Sequence, residues 1–263
     1  MADPSLGADA RSRLIRADIR LGIGLVGWVF GAFVSAVFAV VLAGILGYDL
    51  FTPTGVGSDI GRVAGQFHQD LPFENPAIPI QWTFAFNVPQ WIALIGVPMF
   101  LASLAGATIA GAFGFRVRLA DLNSLLLGVV MQVVVLYLLY LVYFEVFGEA
   151  DVGEPARRLA ATANGWGVVA FVVMVVVVAP IAEELFFRGL VFGALRELVP
   201  DWVAVGVSAA IFAAVHFQLV QFIGLFVLGV VLAVQTQRSD RLGPAIMTHA
   251  GFNAVTALSL VLL

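Results

Sequence analysis

The chain has 263 residues, of which 61% are hydrophobic and 11% charged, with a formal net charge of −4. This balance excludes a soluble globular domain and a basic nucleic-acid-binding surface, and it defines an integral membrane protein. The absence of cysteine excludes disulfides, thiolate metal sites and cysteine nucleophiles.

A hydrocarbon core about 30 Å thick needs roughly 20 apolar residues and offers backbone groups no water, so long apolar runs read as spanning helices. The first run, 22 to 47, follows Arg11, Arg13, Arg16 and Arg20 and is too long for a signal-peptide core, so it reads as an uncleaved anchor. The connection 48 to 90 carries Pro53, Pro72, Pro76, Pro79 and Pro89, which argue against long regular helix. Within and beside it, Trp82 and Trp91 suit a membrane interface, and His68 reads as ordinary surface. Further runs at 91 to 113, 124 to 147, 166 to 196, 202 to 218, 222 to 237 and 244 to 263 complete an all-α, polytopic transmembrane bundle of about seven spans. The fifth and sixth runs are short and separated only by Gln218 to Gln221, which predicts a tight hairpin stopping below the far surface, or one span fewer.

Arginine supplies all the fixed positive charge, since lysine is absent. Four arginines precede the first span, Arg116 and Arg118 lie between the second and third, Arg196 between the fourth and fifth, and Arg238 and Arg241 between the sixth and seventh. These are alternate connections, so the positive-inside rule places them and the N-terminus in the cytoplasm of a multi-pass cell-membrane protein. The predicted division is a cytoplasmic segment 1–20, N-terminal helices with an external loop over 21–165, and a second helical part, 166–263, that holds the intramembrane ionisable groups.

Those groups are Glu183, Glu184, Arg188, His216 and His249, each inside an apolar stretch. Charged or titratable side chains at such depth are costly and mark function by default. Glu184 and Arg188 stand four apart, carboxylate first, which puts them on one helix face as an internal ion pair. Glu183 points about 100° away and is left without a local partner, as a general base requires. Pro180 lacks a backbone donor, and in a regular ladder this frees the carbonyl of Val176. Phe212 and His216 are one turn apart, as are His249 and Asn253, so each helix offers its polar groups along one stripe. Three converging stripes suit hydrolysis, with Glu183 or a histidine activating water and His249 and Asn253 donating to an oxyanion. The set Glu183, His216 and His249 also has the composition of a catalytic zinc site, although no two-histidine helix signature accompanies it. Phe186, Phe187 and Phe212 read as packing residues, and Arg196 with Glu197 as a solvated helix end.

The segments EELFFR at 183 to 188, FAAVH at 212 to 216 and HAGFN at 249 to 253 resemble, in order, the three motifs of the CPBP intramembrane protease family. That family includes type 2 CAAX prenyl proteases and bacteriocin-processing or immunity proteins. The resemblance covers roughly 175 to 256 and leaves the first three spans without a signature. It implies a helical membrane endopeptidase acting on a membrane-associated protein or peptide in a chamber open to the cytoplasm. Glu183 and His216 would activate water, His249 and Asn253 would bind the oxyanion, and Glu184, Arg188 and Phe212 would support them. The cofactor implied is either zinc or none, and the poor ligand quality of Asn253 favours none.

Two other classes fit parts of the pattern. A proton-coupled transporter would also bury acids and histidines, but inverted halves are its signature and these halves differ in charge content. A catalytically silent scaffold would not need the complete set of Glu183, His216, His249 and Asn253. One conflict stands within the sequence. At 1.5 Å per residue Glu183 lies about 20 Å from Arg196 and His216 about 21 Å from Trp202, yet His249 lies under about 10 Å from Gly243. The seventh helix must therefore be offset, tilted or begin at another depth.

Overall fold

The computed structural model describes residues 15–46, 80–147, 165–217 and 221–262. His68, the acidic stretches of the two predicted external connections, Arg11 and Arg13 lie outside these residues, as does the Trp82 side chain. The described chain is helical throughout: α1 (Ala17–Leu46), α2 (Ile80–Leu104), a short α3 (Ile109–Phe113), α4 (123–147), α5 (Trp166–Leu195), α6 (Asp201–Ala214), α7 (Phe222–Ser239) and α8 (Gly243–Leu262). A helical membrane bundle is thus the fold.

Among the described residues, five segments are long and apolar enough to cross a bilayer: Ala17–Leu46, Ala85–Leu104, Leu119–Leu139, Trp166–Leu195 and Phe222–Ser239. Two of the seven predicted runs fall short, for different reasons. The helix α6 has 14 residues, so it rises only about 21 Å before the chain turns at Phe217. It packs along α7, which is the predicted hairpin. In α8 the described side chains end at Ser259, which leaves a stretch of fewer than 18 residues, and it carries the polar Thr248, His249 and Asn253.

The second predicted run was displaced. Its helix begins at Ile80, inside the stretch where prolines argued against helix, and ends at Leu104. Pro89 and Pro98 lie within it. Beside Pro89 the amide of Gln90 donates to Ser35 Oγ of α1 at 2.9 Å, so a neighbouring helix satisfies a backbone group the proline disturbs. Gly27 and Gly31 of α1 permit that approach, since a Cβ at either would fall 2.4 Å from Val97 and 2.6 Å from Ala93. Trp91, placed at the interface by the sequence, packs instead against the core.

The middle of the bundle is α5. Its residues Glu184–Phe192 form a π-helical stretch in which all nine are buried, so this segment has no solvent or lipid face. Around it stand α1, α2, α6, α7 and α8. The core contains Leu94 and Leu101 of α2, Phe113, Met131 of α4, Leu185, Phe186, Phe187 and Leu190 of α5, and Leu228 and Leu232 of α7.

The start of α8 explains the depth conflict. Leu242 is fully buried and its amide donates to Gly114 O at 2.8 Å. A Cβ at Gly243 would meet the Asp121 carboxylate at 2.1 Å. The helix therefore begins beneath the segment that joins α3 to α4, already inside the protein. Lower down it meets α4 backbone to backbone, where Gly128 faces Thr248 O and Gly251 faces Leu125 O.

One end of the bundle gathers the arginine-bearing connections. Arg20 pairs with Glu197 at 2.5 Å, Arg196 with Asp201 at 3.2 Å, and Arg241 with Asp121. Arg196 and Glu197 stand at the solvated end of α5, as predicted, with Glu197 half-exposed, and each also pairs with another element. Among the described residues, Arg20, Arg196 and Arg241, which the sequence assigned to one face, share one end.

Candidate active site

At the centre, Glu183 of α5 faces two imidazoles from different helices. Its Oε2 lies 4.0 Å from His216 Nε2 and 3.9 Å from His249 Nε2. That oxygen is buried and has no hydrogen-bond partner in the protein. The Glu183 side chain keeps 18% exposure and His216 28%, whereas His249 keeps 4%. The opening of the site is therefore on the side of Glu183 and His216.

The tautomers follow from the partners. His216 Nδ1 lies 2.7 Å from the carbonyl of Phe212, one turn earlier on the same helix. A carbonyl can only accept, so Nδ1 carries the proton, and in the neutral ring Nε2 is left as the basic nitrogen facing Glu183. His249 Nδ1 lies 2.9 Å from Glu184 Oε1. With that nitrogen turned to a carboxylate, Nε2 is the one offered to the chamber.

Glu184 therefore does more than the sequence predicted. Its second oxygen lies 3.2 Å from Arg188 Nε, with both side chains fully buried. The angle there does not make a hydrogen bond, so the contact is Coulombic. Arg188 Nη2 donates to the carbonyl of Gly229 on α7 at 3.3 Å, and its guanidinium lies 4.3 Å from the centroid of the Phe212 ring. The charges of this fully buried pair are matched, although Arg188 Nε and Nη1 have no hydrogen-bond partner in the protein. Glu184 joins the pair to the imidazole, and that link was not legible from the spacing of four.

Phe212 is the packing centre of the site. Its ring meets the edge of Phe187 at 5.5 Å, of His216 at 4.8 Å and of His249 at 5.7 Å. The three phenylalanines 186, 187 and 212 are buried core residues, as predicted.

Asn253 Nδ2 donates to Val175 O at 2.9 Å, and not to the predicted orphan at Val176. The reason is a shift of register. Met174–Val178 is π-helical, so carbonyls there look five residues ahead, and the partner of Val175 is Pro180. Proline has no N–H, and Asn253 of α8 takes the carbonyl it leaves. The amide retains a second N–H for other use.

The three donors are spaced slightly wider than the ligands of a closed tetrahedral zinc site. Two ligands of one tetrahedral zinc at about 2.0–2.1 Å lie roughly 3.4 Å apart. Here the separations are 4.0 and 3.9 Å. Among the described residues no group of three His, Asp or Glu side chains is arranged to hold a metal ion. The distances instead suit a water molecule bridging the carboxylate and the imidazoles by hydrogen bonds of ordinary length.

A polytopic helical membrane protein enclosing an acid–imidazole constellation is the class these observations define. Residues 165–255, about a third of the chain, match the family model described as Type II CAAX prenyl endopeptidase Rce1-like. This match supports, over that segment, the resemblance to the CPBP family read from the three motifs, and with it a peptidase. Compared with curated proteins and with solved structures, the chain has no match.

Proposed function

We propose that the protein is an intramembrane endopeptidase that hydrolyses a peptide bond in a membrane-associated protein or peptide by a metal-free glutamate mechanism. The observation that carries this reading is the unpartnered, buried Oε2 of Glu183 set between two imidazole Nε2 atoms at 4.0 and 3.9 Å. Water held there gives a proton to Glu183 and attacks the carbonyl carbon, while His216 Nε2 accepts a hydrogen bond that orients it. The carbonyl oxygen becomes an oxyanion, which the second N–H of Asn253 and, in the doubly protonated ring, Nε2–H of His249 stabilise. Collapse of the tetrahedral intermediate breaks the C–N bond, and Glu183 returns the proton to the leaving nitrogen. Glu184 and Arg188 hold His249 in place, and Phe212 fixes the spacing of both rings.

The arginine-rich end is read as cytoplasmic by the positive-inside rule. The family match supports a membrane-associated protein as substrate. Cleavage of a membrane-tethered reporter by purified protein in liposomes tests the assignment. Glu183→Gln and His216→Ala should each lower the rate by about 10²–10⁴-fold while leaving the helical circular dichroism unchanged. Transport or partner capture that survives both substitutions, with no cleavage by the parent, would replace this reading by the transporter or the scaffold.

A further inference from the structure

Trp28 of α1 stands at the level of the reacting groups. Arg20 pairs with Glu197 at the arginine-bearing end, and a Cβ at Gly24, one turn on, would meet Leu190 at 3.2 Å and Phe186 at 3.8 Å. The two helices α1 and α5 are therefore antiparallel, and Trp28, one further turn along, reaches the level of Glu183. Its side chain packs against the core cluster that includes Phe186. Its ring also meets that of Phe217, at 6.3 Å between centroids and 33° between planes, within the range of an aromatic pair.

This contact bridges a seam. Among the described residues α1 packs along α2 and α5, and its backbone makes no comparable approach to α6 or α7. Phe217 follows directly on His216, the more open of the two imidazoles that face Glu183, and it is 66% exposed. The backbone at Phe217 is strained: its φ is 53°, in the left-handed region that bulky residues rarely occupy, while its amide closes the end of α6 by donating to Ala214 O at 3.1 Å. A helix that ends on a left-handed residue ordinarily uses glycine. Glycine here would keep the turn and remove the strain, so what phenylalanine adds is its ring. Strain of this kind collects at functional sites.

We propose that Trp28 and Phe217 form the subsite for a large apolar side chain of the substrate next to the scissile bond, and so determine which sequence is cut. The proposal rests on the peptidase reading and deepens it. Both walls are aromatic, which favours an apolar occupant over a charged one at a depth where ions are penalised. Phe217 is covalently next to the histidine that orients the attacking water, so a side chain seated on its ring belongs to a residue adjoining the bond under attack. The exposed face of Phe217 opens that seat to the hydrocarbon, from which a membrane-associated substrate arrives.

The test is cleavage of tethered reporters by the full-length protein in liposomes, with the residue on either side of the scissile bond set in turn to Leu or Ala. The parent should prefer Leu at one of the two positions by about 10–100-fold in kcat/KM. Phe217→Gly and Trp28→Ala should each lower that preference about tenfold, and Phe217→Tyr should keep it. Because Phe217→Gly relieves the left-handed strain, its thermal midpoint should not fall, which separates a lost preference from a lost fold. Equal rates for Leu and Ala in the parent, an unchanged preference in both variants, or an equal loss on both reporters would overturn the proposal. A second measurement does not need cleavage: Glu183→Gln protein is photolysed with the same tethered peptide carrying p-benzoylphenylalanine beside the scissile bond. Attachment mapped to Trp28 or Phe217 supports the subsite whether or not any reporter is cut, and attachment elsewhere overturns it. Failure of the parent to cut any reporter sinks the peptidase reading instead.

Discussion

Asn253 on α8 supplies the hydrogen bond that Pro180 denies to Val175 on α5, at a donor–acceptor distance of 2.9 Å. A side chain from the last helix thus closes a defect in the backbone of the central one. Asn253→Ala leaves a carbonyl orphaned at depth and should destabilise the fold by about 1–3 kcal/mol. Pro180→Ala restores an N–H, so the same substitution in that background should cost less. Unfolding of the four proteins in a double-mutant cycle measures the coupling, and strict additivity would show that the two positions act independently.

The buried pair predicts asymmetry. Glu184→Gln strands the Arg188 guanidinium without a counter-charge, and Arg188→Met strands the Glu184 carboxylate, each at about 3–5 kcal/mol. The double variant removes both charges and should be more stable than either single one. Its unfolding midpoint above both parents is the expected result. Its cleavage rate should stay low, because His249 loses the carboxylate that holds Nδ1.

Close helix packing sets a third expectation. Gly128→Ala would bring a methyl group to 2.0 Å from Thr248 O, and Gly251→Ala would bring one to 2.2 Å from Leu125 O. Backbone atoms cannot swing aside as side chains do, so each should cost at least about 1–3 kcal/mol. The α4–α8 contact also seats His249, so proteolytic susceptibility of the folded protein should rise together with loss of cleavage. Wild-type midpoints in both variants would contradict the packing described.

Metal independence is the fourth. Dialysis against a strong chelator should leave reporter cleavage unchanged, and added zinc should not raise it. Loss of activity restored by stoichiometric zinc would require the three donors to close from their present spacing, and would replace the metal-free route.

Much of the site was legible because its chemistry is written in residues that the bilayer penalises. Glu183, Glu184, Arg188, His216 and His249 stood out from apolar surroundings, and the structure brings them together. The ion pair of Glu184 with Arg188 survives although the segment is π-helical, since both side chains are long enough to bridge a changed register. What spacing could not show depended on that register or on distant partners. The orphan carbonyl moved from Val176 to Val175 because the turn before Pro180 is widened, and no hydrophobic period reveals such a turn. The bond from Glu184 to His249 spans 65 positions, so only the assembled helices display it. Helix α2 started earlier than its prolines suggested because Ser35 of α1 was available to the disturbed backbone. The depth conflict at His249 was real information: it pointed to the recessed start of α8 under Gly114 and Asp121.

The short span of α6 has a consequence for the lipid around the protein. With 14 residues it rises about 21 Å, while α1 with 30 residues rises about 45 Å. The circumference of the molecule therefore does not match a single hydrocarbon thickness, and acyl chains must compress along the flank where Trp202, Ile211 and Phe217 are exposed. The thinnest hydrocarbon layer around the protein is thus set by the helix that carries Phe212 and ends beside His216.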